Sequence, residues 1–198
     1  MGKMLFNIDT IGNRVKDTSL KFSSNEKLPA DELIQLSVRA KELLSNLFDE
    51  LKPNRHIDFC TAGELSIHQF LQYALTVTGP ADVYISSWAI KEEPARVLLF
   101  LKETGKIKQL FGVFDYRIKT LDAKHFHLIE KAMSQYALTK NHAKVVVISG
   151  QNLSICIVSS ANLSNNPRIE AGFISTCKPT IEFHKKWMDD VLSGKTVY

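Results

Sequence analysis

A histidine and a lysine two residues apart, His142 and Lys144, stand at the head of a β-branched run, Val145-Val-Val-Ile148. Side chains two apart on a strand share a face, so the imidazole and the ammonium point the same way. A second strand-like run, Leu153 to Ser159, ends in Ser160-Ala-Asn162, and a third, after a loop with Asn165-Asn-Pro167, carries Glu170. Three adjacent strands would gather a basic nucleophile, a fixed cation, two hydrogen-bonding side chains and a carboxylate. Such a set suits an anionic phosphodiester.

This stretch resembles the signature of the phospholipase D superfamily, the HKD motif. That pattern is His-X-Lys, usually an Asp five residues after the Lys, then Gly-Ser-X-Asn or Ser-X-Asn, then a Glu. His142, Lys144, Ser160-Ala-Asn162 and Glu170, within Arg168-Ile-Glu-Ala-Gly172, match it. Two positions depart: Ser149 stands at the Asp position and Ser159 replaces the Gly. The matching part covers about a sixth of the chain.

The resemblance implies a single phospholipase D-like domain over 1–198, with a mixed β-sheet sandwiched by helices. It also implies a phosphodiesterase that uses neither metal nor cofactor. His142 is then the nucleophile and forms a phosphohistidine, while Glu170 holds its far ring nitrogen. Lys144, Asn162 and Ser160 stabilise the charge that develops on the phosphoryl oxygens. One imidazole cannot attack from one side and protonate from the other, so a second histidine must serve as general acid. Many members of the superfamily carry two motifs; single-motif members resemble half-enzymes, and a homodimer with one composite site is the expectation. His184-Lys-Lys186 repeats the His-X-Lys spacing, but it lies on a predicted helix with no Ser-X-Asn after it. It reads as a solvated helix face.

The substrate expected first is DNA rather than RNA, cleaved by an endonuclease. The formal charge of +4, from 25 Lys+Arg against 21 Asp+Glu, permits a polyanionic partner without requiring one. A degenerate nucleic-acid-binding domain of the same fold is one alternative, and a phospholipid hydrolase or transferase is another. The amino-terminal MGKMLFNIDTIGNRV has no signal-peptide pattern, and no apolar run reaches membrane-spanning length. With Cys60, Cys156 and Cys177 in apolar runs, these features read as a cytoplasmic protein with reduced thiols and no stable membrane association.

The positioning elements follow from periodicity. Residues 1–28 are polar and mixed, and are expected to add an edge strand or an arm. From Pro29, Leu33, Leu36, Ala40, Leu43, Leu44, Leu47, Phe48 and Leu51 form a helical stripe. Strands are expected at Ile57–Cys60, Ala81–Ile90 and Leu110–Phe114, and helices from Glu64 to Gly79, Glu92 to Thr104, His125 to Tyr136 and Pro179 to Leu192. Strands alternating with helices predict an α/β domain with helices on both faces of the sheet. Tyr116 and Arg117 follow a strand's carboxyl end, where such folds bind ligands, and are candidate substrate contacts. Trp88, at a strand exit, reads first as core and second as a base-stacking platform.

Overall fold

The computed structural model describes residues 51–61, 66–164 and 168–195, together with the backbone of 24–25 and 33–38. Its strands are β1 (Ser24–Asn25), β2 (Leu33–Val38), β3 (His56–Thr61), β4 (Ala81–Ser87), β5 (Ile107–Asp115), β6 (Gln135–Thr139), β7 (Val145–Ser149), β8 (Ser154–Ser159) and β9 (Glu170–Ser175). The helices are α1 (Ile67–Thr78), α2 (Glu92–Glu103), α3 (Ile118–Leu121), α4 (Ala123–Glu130) and α5 (Lys178–Leu192). All the described strands join one mixed sheet in the order β1-β2-β3-β9-β8-β7-β4-β5-β6.

Alternation along the central strands decides what each face carries. Val146, Ile148, Ile155 and Ile157 point to one side and pack with Leu71, Leu98 and Phe126 of α1, α2 and α4. Val145, Val147 and Cys156 point to the other and pack with Ile181 and Met188 of α5. The sheet is therefore covered by helices on both faces, as the strand–helix alternation predicts. Cys156 is fully buried there, and its enclosure pushes the thiol up to about 12. All three cysteines are free thiols, with Cys60 and Cys177 only half-buried.

Two expectations are corrected. Leu33–Val38, expected as the first turns of a helix, is a strand lying parallel to β3, with Leu33 opposite His56. Its sequence LIQLSV has apolar residues at 34, 36 and 38, so the run fits a period of two as well as a helical stripe. The remainder of that stripe up to residue 50 lies outside the described residues. The helix expected from His125 to Tyr136 ends at Glu130, and Gln135–Thr139 is β6, paired with β5 through Gly112 opposite Tyr136. Of the expected arm at 1–28, the described part is β1, an edge strand antiparallel to β2. The other helices and strands lie within a few residues of their predicted bounds. Gly105, expected as a helix stop, has φ 70° just past α2, where a side chain would be strained.

Candidate active site

The sheet topology brings distant residues to one edge. β4, β5 and β6 run parallel and end at Ser87, Asp115 and Thr139. β7 is antiparallel to β4, so its start, with His142 and Lys144 just before it, falls at the same edge. β8 runs antiparallel to β7 and delivers Ser160 there, and the Ser159 amide donates to the Lys144 carbonyl (3.1 Å). β9 returns beside β8 with Glu170 at its first position, opposite Thr61 of β3.

His142, Lys144 and Ser160 share a cleft of about 470 Å³ with His184 and Trp187 of α5. Lys144 is buried, and its Nζ donates to the His142 carbonyl at 2.6 Å. Burial pulls the ammonium below its ordinary range, and the Glu170 carboxylate partly offsets that. One ammonium proton is committed to that carbonyl; the others remain for an anion. Ser160 Oγ donates to Glu170 Oε2 and accepts from the Ala171 amide at 3.1 Å. Asn162 makes no side-chain hydrogen bond among the described residues, and its Oδ1 is buried.

The His142 ring is exposed and makes no hydrogen bond among the described residues; its one ring contact is with Trp88, at 6.2 Å between centroids. Within one chain Glu170 is therefore bonded to Ser160 and not to His142, contrary to the expected pairing. The physical reason is proximity, since Ser160 and Glu170 sit on adjoining strand ends where hydroxyl and carboxylate meet directly.

The candidate substrate contacts form a stack leading to His142. The Arg117 guanidinium lies 5.2 Å from the centre of the Trp88 ring and 5.7 Å from that of Tyr116. Trp88 is half-buried rather than core, and Tyr116 is 53% exposed, which leaves an aromatic face to solvent. Arg117 is held by Asp115, with Nε to Oδ1 at 2.7 Å, and this partner keeps the Asp115 carboxyl below its usual range.

Two groups of residues escape the sequence reading. Asn141 is buried next to His142, and its Nδ2 donates to Ser86 Oγ (2.9 Å) and the Val113 carbonyl (3.0 Å). Its Oδ1 accepts from the Ala143 amide (3.0 Å), a local turn that bolts the His142 loop to the ends of β4 and β5. The signal for it is faint: an Asn directly before the His-X-Lys that leads into a β-branched run. His184 is the second case. It is half-buried instead of solvated, lines the His142 cleft, and accepts at Nδ1 from the Trp187 indole N–H at 3.1 Å. Ser149, at the usual Asp position, closes β7 between Asp82 and Ser154.

No protein-family model matches the chain, and no curated protein does either. Among solved structures it is similar to polyphosphate kinase from Porphyromonas gingivalis, at 12% identity and a TM-score of 0.57. The match covers 87% of this chain and 32% of that one, so this chain spans about a third of that protein's length. The likeness is one of fold: a mixed sheet flanked by helices.

Proposed function

We propose that the chain is a metal-independent phosphodiesterase that cleaves nucleic acid, DNA first, through a phosphohistidine at His142. The observation that carries this reading is the cleft in which His142, Lys144 and Ser160 meet, with Glu170 bonded to Ser160 beside them. An enclosed ammonium supplies the positive charge that phosphoryl oxygens need, and the Arg117–Trp88 stack next to His142 suits a base beside the phosphate.

In the first step a ring nitrogen of His142 attacks phosphorus, and the bond from phosphorus to the leaving oxygen breaks. That oxygen takes its proton from a second imidazole, His142 of another copy across a two-fold axis. Water then attacks the phosphohistidine and gives its proton to that second imidazole. The phosphorus–nitrogen bond breaks, leaving a phosphomonoester and free His142. Lys144 neutralises the non-bridging oxygens throughout, and the acid's contribution is on the order of 10²–10⁴-fold. Glu170 is free to orient an imidazole in the dimer once its hydroxyl partner turns to the phosphate.

The test is incubation of wild type and His142→Ala with plasmid, single-stranded DNA and RNA in EDTA. Wild type is expected to cleave, and the variant to lose about 10³-fold or more. Full hydrolysis by the variant removes His142 from the mechanism, and salt-sensitive DNA binding with no cleavage by wild type selects a binding domain. A second reading, phosphoryl transfer to or from polyphosphate, is favoured by the likeness to a polyphosphate kinase. Polyphosphate in the same assay separates the two, and liposome turnover alone selects a phospholipid enzyme.

A further inference from the structure

The α5 wall of the cleft carries a pair that the phosphohistidine scheme does not use. His184 and Trp187, three residues apart on one helix face, both line the space that holds His142 and Lys144. An indole nitrogen only donates, so the 3.1 Å bond from Trp187 Nε1 fixes His184 Nδ1 as acceptor. The neutral ring must then carry its proton on Nε2, which has no hydrogen-bond partner among the described residues. Taking up a second proton would set an Nδ1–H against the indole N–H. Burial acts in the same direction, lowering the proton affinity of the imidazole. The ring is a donor that does not readily charge or release its proton. The cations nearest it on its own helix are Lys185, whose Nζ lies 5.4 Å from the Tyr84 ring centre, and Lys186, paired with Asp190.

We propose that His184 is a substrate-positioning residue of the His142 site: its Nε2–H donates to a non-bridging oxygen of the bound phosphoryl group, with the tautomer locked by Trp187. This rests on the phosphodiesterase reading for its substrate, but its anion is the phosphoryl group itself. His184 and Lys144 approach that group from the helix and from the sheet, one neutral and one charged. The neutral donor fixes orientation without adding a proton that could compete with the general acid. The acid therefore still comes from a second copy of the chain.

Two measurements test this. Long-range nitrogen–proton NMR of the free protein is expected to find the His184 proton on Nε2, and on both nitrogens in exchange in Trp187→Phe. Titration with inorganic phosphate is expected to shift the His184 ring signals in wild type and His142→Ala alike. Because phosphate binding needs no turnover, this outcome is independent of whether His142 is the nucleophile. With bis(p-nitrophenyl) phosphate, His184→Ala is expected to raise KM by about 10-fold or more, with kcat within about 3-fold. His184→Gln, whose amide N–H reaches the Nε2 position, is expected to recover most of that loss. An Nδ1–H tautomer, unshifted His184 signals, or equal impairment of the Ala and Gln variants overturns the proposal.

Discussion

Lys144 is enclosed and charged, and its surroundings pull its proton affinity two ways. Loss of water lowers it, attraction to Glu170 raises it, and the first effect is the larger. The folded value therefore lies below the ordinary 10.5 of a free lysine. The sign for stability follows: below the folded value the buried charge costs stability, and the cost fades as pH climbs towards the unfolded value. For activity, kcat/KM reports the free enzyme, so its alkaline limb is expected below pH 10.5. A profile flat to that pH would show that the ammonium is not needed. Asp115 also makes stability rise with pH, but as a gain rather than a fading cost: its depressed value makes its support for Arg117 and the Asn141 amide fully present above 3.8 and lost as pH falls through the folded value. His142, Lys144, Ser160 and Glu170 were legible because their types recur at telling spacings. The Asn141 bonds were not, since they join residues up to 55 apart in the chain. His184 reads as a solvated helix face because its His-X-Lys falls on a helix with no Ser-X-Asn after it, although Trp187 at i+3 signals a half-buried face.

At the scale of the element, the site depends on two close approaches. β9 presses on β8 at Gly172, where an added Cβ would lie 2.0 Å from the Val158 carbonyl oxygen and 2.8 Å from Ser159 Cα. Gly172→Ala is expected to push β9 away, costing about 1–3 kcal/mol in urea unfolding and separating Glu170 from Ser160. Unchanged stability and turnover would show that the strands have slack there. The loop before β7 is the other. Asn141→Ala removes the buried amide that ties His142 to β4 and β5, leaving Ser86 and Val113 acceptors unpaired. A loss of about 2–4 kcal/mol is expected, with a fall in kcat that Asn141→Asp only partly reverses, as its carboxylate cannot donate. The sequence conveys β7 and β8 well because each is a short β-branched run bounded by polar residues; β9, with Ile174 its one β-branched residue, is placed by the spacing of Glu170 instead. The sequence conveys β2 and β6 poorly, because each lies at or near an edge of the sheet, where its pattern is mixed and pairing decides its state.

For the whole molecule, the phosphodiesterase proposed above requires a second imidazole. One chain offers one His142, and in it Glu170 is occupied by Ser160. The proposed two-fold assembly would bring that second imidazole, and sedimentation is then expected to give twice the 22.4 kDa of a single chain. Mixing wild type with an excess of His142→Ala is expected to lower turnover per wild-type chain, because a mixed pair holds one imidazole where two are needed; turnover that stays proportional to the wild type present would show that the site is not shared between copies. A monomer active at every concentration would remove the composite site. No helix among the described residues is long and apolar enough to cross a membrane. The chain has two tryptophans, and both belong to this region: Trp88 beside His142, and Trp187 in the cleft wall. Emission excited at the red edge of the indole absorption band therefore comes wholly from the two tryptophans around His142. The protein carries its own optical probe, and quenching or a colour shift on adding oligonucleotide would register occupancy without any label.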